Sequence, residues 1–183
     1  QTDNVLAGEM ACDALASRLK GRGKVVIQNG PQVSSVKDRV NGCRKRLATY
    51  PGVTLLNDDQ DGKASRWGGS SLMQMYDRNY PELDGVFAIN DPQAIGTDQM
   101  ARSLKRKLVI TSVDGSPDVE VAMREKGTLI AASSTQNPKK MAEVAVEEGV
   151  KILNGKPPAS RMMLMKPSLL TQENLAQYKG WGQ

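Results

Sequence analysis

The chain has 183 residues, 39% apolar and 25% charged, with a formal charge of +5 at pH 7 and no histidine. That length suits one α/β domain with a buried core, and no apolar run approaches the roughly 20 residues of a transmembrane helix. Without histidine, Ser-His-Asp and Cys-His catalysis fall away and zinc chemistry loses its commonest nitrogen ligand, while 4% aromatics are too few for a base-stacking platform.

Apolar residues from Val5 to Leu19 recur at helical spacing, with Asp3 or Asn4 placed to cap the start and Gly21-Arg22-Gly23 to end the helix. Lys24 to Gln28 reads as a short strand entering the turn Asn29-Gly30-Pro31. Ser34 or Ser35 opens a second helix that runs to Thr49 and is stopped by Tyr50-Pro51-Gly52. Val53 to Leu56 is the second strand, Asn57 to Gly62 a polar loop, and Ala64 to Arg78 the third helix. Gly85 to Ile89 is the third strand, and Asn90-Asp91-Pro92 is a helix start with Asp91 as the expected cap. That helix runs to Leu104. Leu108 to Val113 is the fourth strand, and Asp114-Gly115-Ser116-Pro117 repeats the strand, turn, proline, helix order. Leu129 to Ser133 is the fifth strand, Pro138 to Leu153 a further helix, Met162 to Met165 a last strand, and Gln172 to Tyr178 a short closing helix. Apolar strands alternating with amphipathic helices predict parallel βαβ units: an α/β fold with a doubly wound parallel sheet.

Cys12 shares a helical face with Leu15 and Leu19, and Cys43 shares one with Val36, Val40 and Leu47. They read as two buried thiols acting as small hydrophobes, with a disulfide open in an oxidising compartment. Gly62-Lys63-Ala64-Ser65 fails as a phosphate loop, because Ala64 stands where a hydroxyl belongs. Gly21-Arg22-Gly23 precedes a strand instead of following one, so it is no dinucleotide fingerprint. The acidic loop Asp58, Asp59, Asp61 lacks the spaced ligands and closing glutamate of a calcium loop, and Arg44-Lys45-Arg46 reads as a solvated helix face. No metal, cofactor or nucleic-acid partner is expected.

Ligands of open parallel sheets sit beyond the carboxyl ends of the strands. Asn29, Asn90 and Asp114 stand at those ends, and amides beside a carboxylate suit a neutral ligand with many hydroxyls. The alternative is that such residues merely turn the chain and cap helices.

Asp3 to Gly8, Ser34 to Arg39, Val86 to Asp91, Val113 to Asp118 and Gln136-Asn137-Pro138 stand in the order found in ribose- and galactose-type periplasmic binding proteins, which this chain resembles over nearly its whole length. The tail ending Tyr178-Lys179-Gly180-Trp181 resembles sugar-binding components of bacterial ABC importers. In that family two Rossmann-like lobes clamp one sugar, and the chain crosses between them three times. The resemblance implies that residues 1–136 form the C-terminal sugar-binding lobe, that 137–160 belong to an N-terminal lobe whose first part is lacking here, and that 161–183 are a closing strand and tail. It implies sugar contacts at Arg39, Asn90, Asp114 and Gln136; Ala64 falls where the family often carries an aromatic, and Val113 replaces another. It further implies a non-enzymatic solute-binding component in the periplasm, its export signal removed, handing a monosaccharide to a membrane permease. The rivals are the effector domain of a lactose-repressor-type regulator and a carboxylate-using α/β enzyme. Ala142, Val146, Val150 and Leu153 form an apolar stripe that the resemblance assigns to the lacking lobe. In its absence the helix is expected to repack, move, or pair with a second copy.

Overall fold

The computed structural model describes residues 1–160 and 162–182. The elements run α1 (Asn4–Arg18), β1 (Arg22–Gln28), α2 (Ser34–Leu47), β2 (Gly52–Asn57), α3 (Arg66–Asn79), β3 (Gly85–Ala88), α4 (Asp91–Ser103), β4 (Val109–Asp114), α5 (Pro117–Arg124), β5 (Ile130–Thr135), α6 (Pro138–Leu153) and β6 (Leu169–Thr171), closed by a 3-10 turn at Gly180–Gly182. The sheet order is β2-β1-β3-β4-β5-β6. β1 to β5 are parallel and β6 is antiparallel to β5. The strand order reverses between β1 and β3, which is the switch point of a doubly wound sheet.

The sheet separates two apolar layers. One face gathers α1 and α2 over Val25, Ile27, Phe87, Ile89 and Val113. The other gathers α3, α4 and α5 over Val26, Val86, Ala88 and Ile110. Strands buried on both faces carry continuous apolar runs instead of an alternating pattern, as Val25 to Ile27 and Val86 to Ile89 do.

α1 and α2 approach backbone to backbone. A Cβ added at Gly8 would strike the Arg39 carbonyl, and one at Gly42 the Val5 carbonyl. The same seam holds Cys12 and Cys43 with Cα atoms 5.1 Å apart, joined as a disulfide. This corrects the reading of two free buried thiols. Facing positions on two helices brought this close satisfy disulfide geometry, which periodicity within either helix does not reveal.

Other boundaries shift for local reasons. Asn90, not Asp91, caps α4, its side chain accepting the Gln93 N–H. Ser65 caps α3 by accepting from the Gly68 N–H, so that helix begins at Arg66. The closing strand lies at Leu169–Thr171, where Leu170 is buried, instead of at Met162 to Met165. Of that segment Met165 alone pairs, in an isolated bridge to Thr2, while Met162, Met163 and Leu164 are exposed. Residues 172–177 are turns and not a helix. Arg161, where the closing segment was expected to begin, and Gln183, where it was to end, lie outside the described residues. α6 buries none of its residues, and Val146, Val150, Ile152 and Leu153 are exposed.

Two predictions follow from this geometry. The disulfide closes a loop of 31 residues, so a Cys12→Ala/Cys43→Ala variant is expected to lose about 3–4 kcal/mol. Urea titration with and without reductant measures it: wild type should fall toward the variant on reduction, and a reductant-insensitive wild type would refute the link. Lys20 and Lys105 each follow a helix C-terminus at φ 56°, where a Cβ is unfavourable. Lys20→Gly and Lys105→Gly are each expected to gain roughly 0.5–1 kcal/mol, read from the same titrations.

Candidate functional site

Four polar residues, Arg39, Asn90, Asp114 and Gln136, stand at the carboxyl end of the sheet. Arg39 stands on α2, yet its side chain is buried and turns across to the strand ends. Its Nε donates to Asn4 Oδ1 at 2.9 Å and its Nη1 to the Ile89 carbonyl at 2.7 Å. The same Nη1 lies 3.1 Å from Asp114 Oδ1, with only 8% and 15% of the two side chains exposed. Gln136, just past β5, donates from Nε2 to Asp114 Oδ1 at 2.7 Å and accepts from the Thr2 hydroxyl at 2.9 Å. Arg39, Asp114 and Gln136 are thus in direct contact.

Asn90 and Ala64 form the neighbouring pair. Asn90 Nδ2 donates to the Ala64 carbonyl at 3.1 Å while Oδ1 caps α4. Asn90 is therefore a helix cap, the reading under which such residues cap helices, and it stands just past the carboxyl end of β3. Ala64 has φ 49°, and its N–H donates to Gln93 Oε1 at 2.9 Å. Gln93 Nε2 in turn donates to the carbonyls of Gln28 and Asn29, so one buried amide pins the Ala64 loop to the end of β1. Asn29 is occupied locally, its Nδ2 on the Asp58 carbonyl and its Oδ1 on the Gly30 N–H.

Two participants escaped the sequence reading. Asn4 is buried and orients the Arg39 guanidinium. Asp91 is fully buried; Oδ1 accepts from the Ser112 and Ser133 hydroxyls, each at 2.6 Å, and Oδ2 from the Ser116 N–H at 2.7 Å. Burial and the neighbouring Asp114 push its carboxyl up to about 7. Burial also raises Asp114, opposed by Arg39 and by the Gln136 amide. Sequence offered only the dipeptide Asn90-Asp91 for this. Which of the two caps and which is buried depends on helix phase.

A planar donor fork, a carboxylate and two amides on one rim can meet vicinal hydroxyls, each of which donates and accepts. No group of three or more His, Cys, Asp or Glu able to hold a metal occurs among the described residues, and no described helix is long and apolar enough to cross a membrane.

Strand order and rim define a doubly wound α/β lobe with its polar residues at the strand ends. Residues 1–157 match the periplasmic binding protein domain, and the chain belongs to that family. It is similar to the ribose import binding protein of Salmonella typhimurium, at 30% identity over 156 residues, 84% of this chain and 51% of the relative. It is also similar to a xylitol-binding protein of Mycolicibacterium smegmatis, at 32% over 120 residues, 64% of this chain and 34% of the relative. A solute-binding protein from Agrobacterium radiobacter, solved with D-arabinose, superposes with a TM-score of 0.84 at 26% identity, covering 96% of this chain and 61% of that one. One from Actinobacillus succinogenes, solved with D-allose, shares the fold at a TM-score of 0.89 and 24% identity, covering 97% and 63%. The chain spans about half the length of the curated ribose import relatives it matches.

Asp91 also sets a pH dependence. Its folded value of about 7 stands above the ordinary 3.8, so the native state keeps a proton that the unfolded chain has released. The stability this contributes is complete below about pH 4 and drains away as pH rises to about 7. Urea unfolding midpoints of wild type should fall across that window relative to Asp91→Asn, whose amide does not titrate there. Parallel pH profiles for the two proteins would refute it.

Proposed function

We propose that this chain is the sugar-gripping lobe of a periplasmic solute-binding protein that delivers a monosaccharide or polyol to an ABC permease. The observation that carries the reading is the contact of Arg39, Asp114 and Gln136 at the strand carboxyl ends, in a chain that belongs to the periplasmic binding protein family. Residues 1–136 form the binding lobe, residues 137–160 dock on a second lobe, and residues 161–183 return to the first. The apolar stripe of α6, exposed at Val146, Val150 and Leu153, is what that second lobe covers; without it, pairing of two copies through the stripe would hide the same surface.

Binding works by closure: a solute that touches both lobes favours the closed form, and the permease reads that form. In this lobe the Arg39 fork takes ring or hydroxyl oxygens, Asp114 accepts from neighbouring hydroxyls, and Asn90 and Gln136 supply amide donors and acceptors. Ala64 leaves space where an aromatic ring would otherwise stack. The site is for binding and not turnover; nothing in the named relatives favours a repressor or an enzyme.

Calorimetry on the full-length parent with D-ribose, D-arabinose, D-allose and xylitol tests this. One of these is expected to bind, and Asp114→Ala is expected to weaken it by roughly 2–5 kcal/mol, because Arg39 and Gln136 are left facing a void in a desolvated cleft. Unchanged affinity in that variant would remove Asp114 from the site.

A further inference from the structure

The backbone under the candidate carboxylate is held in a conformation that side chains disfavour. Of the two positive-φ non-glycine residues in the site, Ala64 at φ 49° and Asp114 at φ 141°, Asp114 carries the carboxylate. Gly115 follows at φ 62°. Such a residue keeps its geometry only where its surroundings over-determine it.

Here the restraint comes from the far end of the chain. The Asp114 carbonyl accepts two hydrogen bonds, from the Gln136 N–H at 2.9 Å and from the Trp181 indole Nε1–H at 3.0 Å. The next carbonyl, of Gly115, accepts the Tyr178 hydroxyl at 2.6 Å. Gly180, at φ 70°, turns the chain between the two rings so that both donors reach consecutive carbonyls. The tail that carries them is itself anchored. Arg124 Nη2 donates to the Leu175 carbonyl at 3.0 Å, Leu175 is buried, and Gln172 Nε2 reaches the Met123 and Ile130 carbonyls at 3.0 and 3.3 Å. On the other side of the same turn, the Gly115 N–H donates to Ser133 Oγ and the Ser116 N–H to Asp91 Oδ2.

We propose that Tyr178 and Trp181 are positioning residues for solute binding: they fix the strained Asp114–Gly115 backbone so that the Asp114 carboxylate is presented beside Arg39. Their polar atoms bond to main-chain carbonyls and not to the carboxylate, so they act through Asp114. The inference rests on the sugar-binding reading for its functional consequence, though not for the restraint itself. An ordinary C-terminal anchor would only add stability. A donor pair aimed at the two carbonyls beneath a binding carboxylate also sets where that carboxylate points.

The test uses the full-length parent with Trp181→Phe and Tyr178→Phe, which keep the rings and delete the donors. Two readouts are taken. Without sugar, amide hydrogen exchange of Gly115 and Gln136 is expected to quicken at least severalfold in Trp181→Phe, while the β4 amides of Ile110 to Val113 stay as slow as in wild type. Unchanged exchange at Gly115 and Gln136 would overturn the restraint, whatever the protein binds. With D-ribose, D-arabinose, D-allose and xylitol as probes, each variant is expected to bind the wild-type ligand about 5- to 20-fold more weakly. In an Asp114→Asn background that loss should shrink toward none, because the group being positioned has changed. An equal loss in both backgrounds would reduce the rings to a structural role and overturn the proposal. Wild-type protein that binds none of the probes would sink the sugar reading, and the exchange result would then decide the positioning claim alone.

Discussion

At 3.1 Å, the Arg39 guanidinium and the Asp114 carboxylate face each other almost out of water. Removing two charges from solvent costs several kcal/mol per ion, so such a pair persists only where the remaining donors and acceptors on both partners are met. The partners present come from elements far apart in sequence. Asn4 comes from α1, the Ile89 carbonyl from the end of β3, and Gln136 from the end of β5. One buried pair therefore ties together α1, α2 and the ends of three strands. An apolar pair of equal volume would serve stability as well or better. What a charged pair supplies is a set of groups that a polar ligand can take over without leaving any of them unmet.

The parallel sheet explains why those groups gather at one end. Every βα unit points its helix N-terminus toward the strand carboxyl ends, so unsatisfied N–H groups and the residues that cap them collect there. Asp3, Ser65, Asn90, Ser116 and Asn137 all cap helices in this way. The opposite end collects helix C-termini, and Arg18, Arg46, Arg78, Arg102 and Arg124 occupy last turns there. Cations at C-termini and polar caps or acids at N-termini both complement the helix dipole. The basic run at Arg44 to Arg46 is likewise in the last turn of its helix. Arg46 meets Asp13, and Lys45 meets Glu9, across the α1–α2 seam.

Most of the fold was legible because strand and helix periods are local properties. Each of the first five strands fell within a few residues of its expected place, and so did the helices from Asn4 to Leu153. The misreadings share a cause. Met162 to Met165 is apolar enough for a strand, but Leu169 to Thr171 takes the edge of β5, because Leu170 finds a buried place there and Met162 does not. Apolar content does not reveal which of two nearby segments a sheet edge will accept. The disulfide was hidden for the same reason: each cysteine satisfied the pattern of its own helix, and only Gly8 and Gly42, by letting the backbones touch, bring the two together. Arg39, Asn90, Asp114 and Gln136 were named from strand ends and family motifs. Their partner Asp91 was not, because a carboxylate one residue past a cap looks like part of the helix start until its Ser112 and Ser133 contacts are seen.

Three segments of chain meet beside the site. The Asp3 N–H donates to the Met165 carbonyl at 2.8 Å, and the Thr135 N–H donates to the Ser168 carbonyl at 2.7 Å. Thr2 reaches Gln136, and the hydroxyls of Thr135 and Ser168 lie 2.7 Å apart. Residues 1–3, 135–137 and 165–168 therefore run side by side, cross-linked by short polar contacts instead of by an apolar core. Hydrogen bonds between adjacent extended segments survive a change of angle that an interdigitated core would resist. Gln136 belongs to this bundle and to the Asp114 cluster at once. On the proposed reading, the residue that bonds to the binding carboxylate is then also one of those that move when the lobes close.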